Sequence, residues 1–306
     1  MYTIKNTEKR EEHYIEIQNF NDGVYAKIDL IRGASLQALK IDNKKVIKEF
    51  TPDSPEKTYA SSILFPFAGR VNNGKYEFNE VKYQLPINEE GNNNALHGFL
   101  YNKPFSLVDE YKSKTTAIVK LAYQQTEKID GFPYKYSVNL SYTFTKNTVS
   151  LDIAIENDDT NPFPFTIGWH PFFYSSNLGK SYLKLESSKK VIFDETLIPI
   201  EEKDTDPLFG FEINNKKLDD CFLLNNNEVN FTTPEYNISI KSSSNKRYLQ
   251  VYTPEHEKDT VAIEPVTAPS NSFNNKLGLQ YLDPNKTYEI SWKIEFENTN
   301  NTPNIN

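Results

Sequence analysis

Two histidines and one glutamate are the residues of this sequence best suited to acid–base chemistry. His170 and Glu264 each precede a proline, which disfavours the helical conformation of the residue before it. Their backbone should therefore be extended and stiff, so that each side chain is aimed reproducibly. His97 follows a polar loop and is the third candidate. Imidazoles and carboxylates often donate and accept protons in enzymes, so these positions predict general acid and base catalysis.

An arginine and a pair of aspartates are candidates for holding a ligand beside these groups. Arg70 follows Gly69 within an apolar, aromatic segment, and a guanidinium offers a rigid fork of donors to a ligand rich in hydroxyl oxygens. Asp219 and Asp220 lead into an apolar strand. Either of the two carboxylates could face the site.

Each of these residues also has a purely structural interpretation. Arg70 could pin a loop through backbone carbonyls, and Glu264 could pair with a lysine at the end of a strand. His97 and His170 could be packed histidines, and the two aspartates could belong to a turn that precedes a strand. Spacing alone leaves these alternatives open.

Metal and serine chemistry fit these residues less well than sugar chemistry. Two histidines and a carboxylate can bind iron in a facial triad, but such sites usually place the carboxylate two residues after a histidine, where this chain has Phe99 and Phe172. No serine lies in a Gly-x-Ser-x-Gly segment. The remaining interpretation is acid–base catalysis on a polyol, without a metal, or plain sugar binding. The rings expected beneath the sugar are those of Phe65, Phe67, Trp169 and Phe273.

Composition excludes several classes of function. The chain has 306 residues, a formal net charge of -8 at pH 7 and a single cysteine, Cys221. The acidic balance argues against nucleic-acid binding, and one cysteine allows neither an intramolecular disulfide nor a cysteine-based metal site. Residues 1–13 are too polar for a signal peptide, and no apolar stretch approaches the ~18 residues of a membrane span. We expect a soluble, cytoplasmic protein that binds a small molecule and no membrane, with its oligomeric state left open.

The elements that must position these residues are predicted to be β-strands. Apolar residues alternate with polar ones in many short segments, which is the pattern of a half-buried strand. The clearest case is a hairpin in which residues 136–144 and 149–155 flank a turn at Lys146-Asn147. No long segment has an apolar period of 3.6 residues. We predict one all-β domain, a large antiparallel β-sandwich over residues 1–297, followed by a frayed tail over residues 298–306.

Five motifs, in this order, resemble those of the aldose 1-epimerase or galactose mutarotase family over nearly the whole chain. They are Gly69-Arg70 with Asn72 and Gly74, Leu96-His97-Gly98, Trp169-His170-Pro171-Phe172, Asp219 before Phe222, and Glu264-Pro265 with Thr267-Ala268-Pro269. One such motif would be a weak signal. Five in order, on an all-β pattern, are a strong one.

The resemblance implies a fold, an activity and a role for each matching residue. The fold would be a galactose mutarotase-like supersandwich with a sugar in an open cleft, and no cofactor would be needed. Glu264 matches the general base and His170 the general acid, while Arg70, His97 and Asp219 match residues that hold sugar hydroxyls. If the acid and base lie close together, their opposite charges are expected to keep the glutamate ionised and the histidine protonated.

Departures from the best-known family members leave the substrate open. This chain lacks the Ala-Asn-Arg-like continuation after Gly-Arg and the second glycine after His-Gly, and it has Trp169 where an asparagine is usual. The expected substrate is an aldohexose such as galactose or glucose. The alternatives are a hexose-6-phosphate mutarotase and a non-catalytic carbohydrate-binding protein on the same scaffold.

Overall fold

The protein, seen in a computed structural model, is built mainly from antiparallel β-strands. The structure describes residues 1–10, 12–50, 58–214, 216–255 and 257–297. A short helix, α1, spans Ser272–Asn275. The strands are β1 (Thr3–Lys9), β2 (Glu12–Asn19), β3 (Val24–Asp29), β4 (Ser35–Ile41), β5 (Lys44–Ile47), β6 (Ile63–Leu64), β7 (Arg70–Val71), β8 (Lys75–Phe78), β9 (Val81–Gln84), β10 (Ala95–Leu96), β11 (Ser106–Lys112), β12 (Thr116–Gln125), β13 (Tyr136–Thr145), β14 (Thr148–Asn157), β15 (Phe163–Phe165), β16 (Gly168–Trp169), β17 (Phe172–Tyr174), β18 (Tyr182–Lys184), β19 (Ser187–Phe193), β20 (Pro199–Leu208), β21 (Phe211–Glu212), β22 (Asp219–Leu224), β23 (Glu228–Thr232), β24 (Asn237–Ser242), β25 (Tyr248–Tyr252), β26 (Thr260–Val266), β27 (Gln280–Leu282) and β28 (Thr287–Glu297).

Two large sheets contain most of these strands. The first runs in the order β1-β2-β3-β4-β5-β17-β26-β25-β22-β19-β20, with β16 paired to β26 and β6 paired to β16. The second runs β11-β12-β13-β14-β28-β24-β23-β18-β21. Three short pairs, β7 with β10, β8 with β9 and β15 with β27, connect to these sheets through loops.

The core lies between the two large sheets. Strand alternation sends apolar side chains of both sheets into one buried cluster, because successive residues of a strand point to opposite faces. Trp169 of the first sheet and Trp292 of the second stack there, with ring centroids 6.2 Å apart. The predicted antiparallel β-sandwich is confirmed.

The predicted central hairpin forms as β13 and β14, which pair from Tyr136 opposite Asn157 to Phe144 opposite Val149. No apolar alternation predicts β20, whose residues are mostly polar and exposed. This strand forms because its backbone pairs with β19 at the edge of the sheet, where apolar alternation is not required.

Two sequence predictions remain as they were. A single domain over residues 1–297 stays a prediction, and the predicted tail, 298–306, lies outside the described residues. In the described ranges no helix is long and apolar enough to cross a membrane.

Candidate active site

One face of the first sheet forms the floor of a pocket. In three adjacent strands, β22, β25 and β26, the register places Cys221 opposite Gln250 and Gln250 opposite Glu264. The period of two then puts Asp219 on the same face. All four side chains line a cavity of about 240 Å³, which is below the ~300–1,000 Å³ usual for drug-sized ligands. The sheet therefore offers three polar groups to a small ligand.

Glu264 faces this pocket because its neighbours in β26 face the core. Val261 and Ile263 are fully buried in the large apolar cluster, so the alternation sends Glu264 to the opposite side, as the sequence predicted. Its carboxylate lies against His170, with Nε2 and Oε1 3.3 Å apart, and no lysine of the described ranges pairs with it. The two side chains are only 6% and 3% exposed.

His170 reaches Glu264 because the strands on either side of it pair with β26. Gly168 lies opposite Val266, and Phe172 lies opposite Ala262. His170 therefore falls between these two pairs, beside Glu264. The structure thus brings together His170 and Glu264, the two residues predicted to transfer protons, although they lie far apart in the sequence.

A tight turn brings His97 to the same place. His97 and Gly98 both have positive φ values, 63° and 70°, and a Cβ at Gly98 would lie 2.2 Å from the carbonyl oxygen of Phe65. Only glycine fits that approach. The amide of Gly69 donates to Nδ1 of His97 at 3.3 Å, which leaves Nε2 to carry the proton of the neutral ring. The rings of His97 and His170 meet edge to face, 5.3 Å apart.

Burial shifts the pKa values of Glu264 and His170 in opposite directions. It raises the pKa of Glu264 well above its usual value, an effect that Asp219 adds to and Arg70 opposes. Burial also lowers the pKa of His170 to about 4. The pair thus favours a protonated carboxyl beside a neutral imidazole. The predicted ionised glutamate and protonated histidine are wrong, because desolvation outweighs their mutual attraction.

The pKa of His97 is also lowered well below its usual value, first by burial and then by the nearby His170 and Arg70. At neutral pH its Nε2–H is therefore a neutral donor. His170 differs in one respect, since its Nδ1 is buried without a hydrogen-bond partner in the described part of the chain. An unpaired buried ring nitrogen is costly, which is consistent with a residue placed for function.

Asp219, and not Asp220, lines the pocket. The amide Nε2 of Gln250 donates to Asp219 Oδ1 at 2.6 Å, and burial raises the pKa of this carboxyl. Asp220 points to the other face of the strand and pairs with Lys190 at 2.5 Å. The alternation within β22 separates the two neighbours.

Arg70 lies at the rim of the pocket and binds a carboxylate. It pairs with Leu96 across the short ladder of β7 and β10, and its guanidinium binds Glu89 through Nε and Nη2. The guanidinium of Arg70 therefore binds a side-chain carboxylate, and not the backbone carbonyls that the structural interpretation expected.

The aromatic residues expected beneath a sugar do not line this pocket. The rings of Phe65, Phe67, Trp169 and Phe273 are at most 2% exposed and belong to the core, because a long sandwich needs large side chains between its sheets. Among the described residues, the phenol rings that line the pocket belong to Tyr59 and Tyr252. Tyr59 also packs edge to face on His97, 4.8 Å between centroids.

Sequence reasoning missed Glu89 and Gln250. A signal existed for Gln250, since it is polar between Leu249 and Val251 in an apolar strand. Glu89 gave no signal, because it stands in a polar loop beside Glu90 and its partner lies elsewhere in the chain. Among the described residues no group of three or more His, Cys, Asp or Glu side chains is arranged to hold a metal ion.

Comparison with known proteins gives consistent relatives. The sequence profile of the aldose 1-epimerase family matches residues 15–295. The uncharacterized protein YihR of Escherichia coli K12 is 25% identical over 273 residues, covering 86% of this chain and 87% of YihR. A galactose mutarotase-like protein from Clostridium acetobutylicum superposes with a TM-score of 0.86 at 21% identity, covering 97% of this chain and 99% of that one. Galactose 1-epimerase from Lactobacillus acidophilus NCFM superposes with a TM-score of 0.82 at 17% identity, covering 97% and 99%.

Proposed function

The chain belongs to the aldose 1-epimerase family, as its motifs predicted, and we propose that it is a mutarotase that interconverts the α and β anomers of an aldohexose. Galactose and glucose are the proposed substrates. The observation that carries the proposal is the contact of His170 Nε2 with Glu264 Oε1, 3.3 Å apart and almost fully buried in the lining of a small polar pocket. The similarity to proteins named galactose 1-epimerase and galactose mutarotase-like supports it.

The chemistry needs one proton acceptor and one proton donor. Removing the proton of the anomeric hydroxyl forms the C1 carbonyl and breaks the bond between C1 and the ring oxygen, and that oxygen takes up a proton. The open aldehyde turns about its C1–C2 bond, and closure on the other face reverses both transfers. Ring opening exchanges the protonation states of donor and acceptor, and ring closure restores them. Atoms and charges balance without a cofactor.

In this proposal Glu264 is the general base and His170 the general acid. The pair shares one transferable proton, which burial favours on the carboxyl. A sugar hydroxyl that donates to the carboxylate stabilises its ionised form, so binding moves the proton to the imidazole. Arg70, His97 and Asp219 then hold the remaining hydroxyls, with His97 Nε2–H as a donor and Asp219 as an acceptor.

The test is polarimetry on freshly dissolved α-galactose and α-glucose, with and without protein. Wild-type protein should accelerate the decay of optical rotation, and Glu264→Gln should lower kcat on the order of 10²–10⁴-fold. Asp220→Asn is the matched control, because it also removes one carboxylate from this region but on the face that pairs with Lys190. Full activity of Glu264→Gln would show that Glu264 is not the base.

The same assay, repeated with α-glucose 6-phosphate, separates the alternative functions. A hexose-6-phosphate mutarotase would accelerate only the phosphorylated sugar. A non-catalytic carbohydrate-binding protein would leave every decay curve unchanged while calorimetry showed saturable binding.

A further inference from the structure

The guanidinium of Arg70 is held by a carboxylate of this chain. Its Nε lies 3.0 Å from each carboxylate oxygen of Glu89, and its Nη2 lies 2.8 Å from Oε1. Both side chains are 17% exposed. This two-point geometry fixes the guanidinium plane and neutralises its charge. Among the described residues Nη1 has no hydrogen-bond partner, so that edge stays available to a ligand hydroxyl.

Glu89 is fixed independently of Arg70. Asn94 Nδ2 donates to Glu89 Oε2 at 3.0 Å, and the backbones of the two residues exchange N–H to C=O hydrogen bonds of 3.1 and 3.2 Å. Asn94 itself is fully buried. The loop therefore presents a preformed carboxylate to the arginine.

The pocket has no other strong cation in the described part of the chain. Of the described residues that line it, Arg70 is the only lysine or arginine, whereas the acids are Glu89, Asp219 and Glu264. The two histidines are held neutral at pH 7 by burial, which lowers the pKa of each. From the described residues, an anionic group entering the pocket would therefore meet no uncompensated positive charge.

We infer that Glu89 is a specificity-determining residue that restricts the pocket to uncharged sugars by cancelling the charge of Arg70. This inference rests on the proposed function and narrows its substrate to free aldoses. A phosphorylated sugar would need a guanidinium free to bind two of its oxygens, and here Glu89 already takes that position. Repulsion between the phosphate and the acidic side chains of this partly buried pocket also disfavours the phosphorylated sugar.

The experiment compares two variants that separate charge from geometry. Glu89→Gln keeps the size of the side chain and removes its charge, while Glu89→Asp keeps the charge and withdraws the carboxylate by one methylene. For each protein, kcat/KM is measured by polarimetry on α-glucose and on α-glucose 6-phosphate. Glu89→Gln should shift the ratio of the two values at least about tenfold toward the phosphate, and Glu89→Asp should lower activity on glucose without shifting the ratio.

A ratio that is unchanged in Glu89→Gln, or shifted equally in both variants, would overturn the inference. Wild-type protein gives a second reading that does not depend on the variants folding. Its kcat/KM should be at least about tenfold lower for glucose 6-phosphate than for glucose, and higher ionic strength should narrow that gap by screening the acidic pocket. Equal use of both sugars by the wild type would also refute it.

Failure of the proposed function is recognisable separately. If wild-type protein accelerates neither sugar, mutarotation is refuted, and the charge selectivity is then read as dissociation constants by calorimetry with the same two sugars. Preference for the neutral sugar, reduced in Glu89→Gln alone, would still support the role of Glu89. The opposite preference would overturn it.

Discussion

Replacing Glu264 with glutamine should expose the pH dependence of stability that His170 contributes. In the wild type the two shifts oppose each other. His170 has a lowered pKa, so its contribution to stability is present above pH 6.5 and is lost as the pH falls toward 4. Glu264 has a raised pKa, so its contribution is present below pH 4.5 and is lost as the pH rises. Between these values the folded and unfolded pair hold the same number of protons, and the curve is flat.

The magnitude follows from the pKa of His170. The pKa of His170 is 6.5 in the unfolded chain and about 4 in the folded protein. Between these pH values the imidazole is therefore protonated mainly in the unfolded chain. Stability should then fall by up to ~1.4 kcal/mol per pH unit, which amounts to about 2 kcal/mol at pH 5 and about 3 kcal/mol at pH 4 relative to pH 7.5. The neutral amide of Glu264→Gln mimics the protonated carboxyl next to which the lowered pKa applies.

The assay is urea unfolding at several pH values between 7.5 and 4, followed by tryptophan fluorescence. Trp169 and Trp292 are the only tryptophans of the chain, and both are 1% exposed, so unfolding changes the signal strongly. The double variant Glu264→Gln/His170→Gln is the control, because it retains every other titrating group. The difference in the free energy of unfolding between the two variants should therefore depend on pH. If it changes by less than about 0.5 kcal/mol from pH 7.5 to pH 5, His170 is not a buried, neutral imidazole.

Two further predictions each compare a substitution with a matched control. Asp219→Asn should raise KM for the sugar roughly tenfold, because a charged acceptor is lost, whereas Asp220→Asn should leave both kcat and KM unchanged; equal effects in polarimetry would contradict the assignment of Asp219. Gly98→Ala should destabilise the protein by about 3 kcal/mol, since φ is 70° and the new Cβ would lie 2.2 Å from a carbonyl oxygen. Gly91→Ala, whose Cβ would meet nothing within 4 Å, is its control in urea unfolding, and similar losses in both would contradict the steric argument.

The alternation of apolar and polar residues was enough to predict much of the fold. The hairpin of β13 and β14 carries apolar residues at every second position, and such a pattern is stable only as a half-buried strand. The same alternation indicated that Glu264 turns away from the core, because Val261 and Ile263 turn toward it. The polar strand β20 lacks this pattern. It forms because its backbone pairs with the neighbouring strand β19, so residue types alone did not predict it.

Residue types and their alternation along the chain were enough to predict the strands. The five ordered motifs were enough to indicate the family, and the resemblance then pointed to the five residues proposed to act on a sugar. Tertiary structure alone decided which rings are core and which line the pocket, that Glu89 holds Arg70, and that His170 and Glu264 touch. It also reversed the expected charges of that pair. Contacts between distant segments, and the desolvation that accompanies them, arise only when the sheets close over the site, and no local pattern records them.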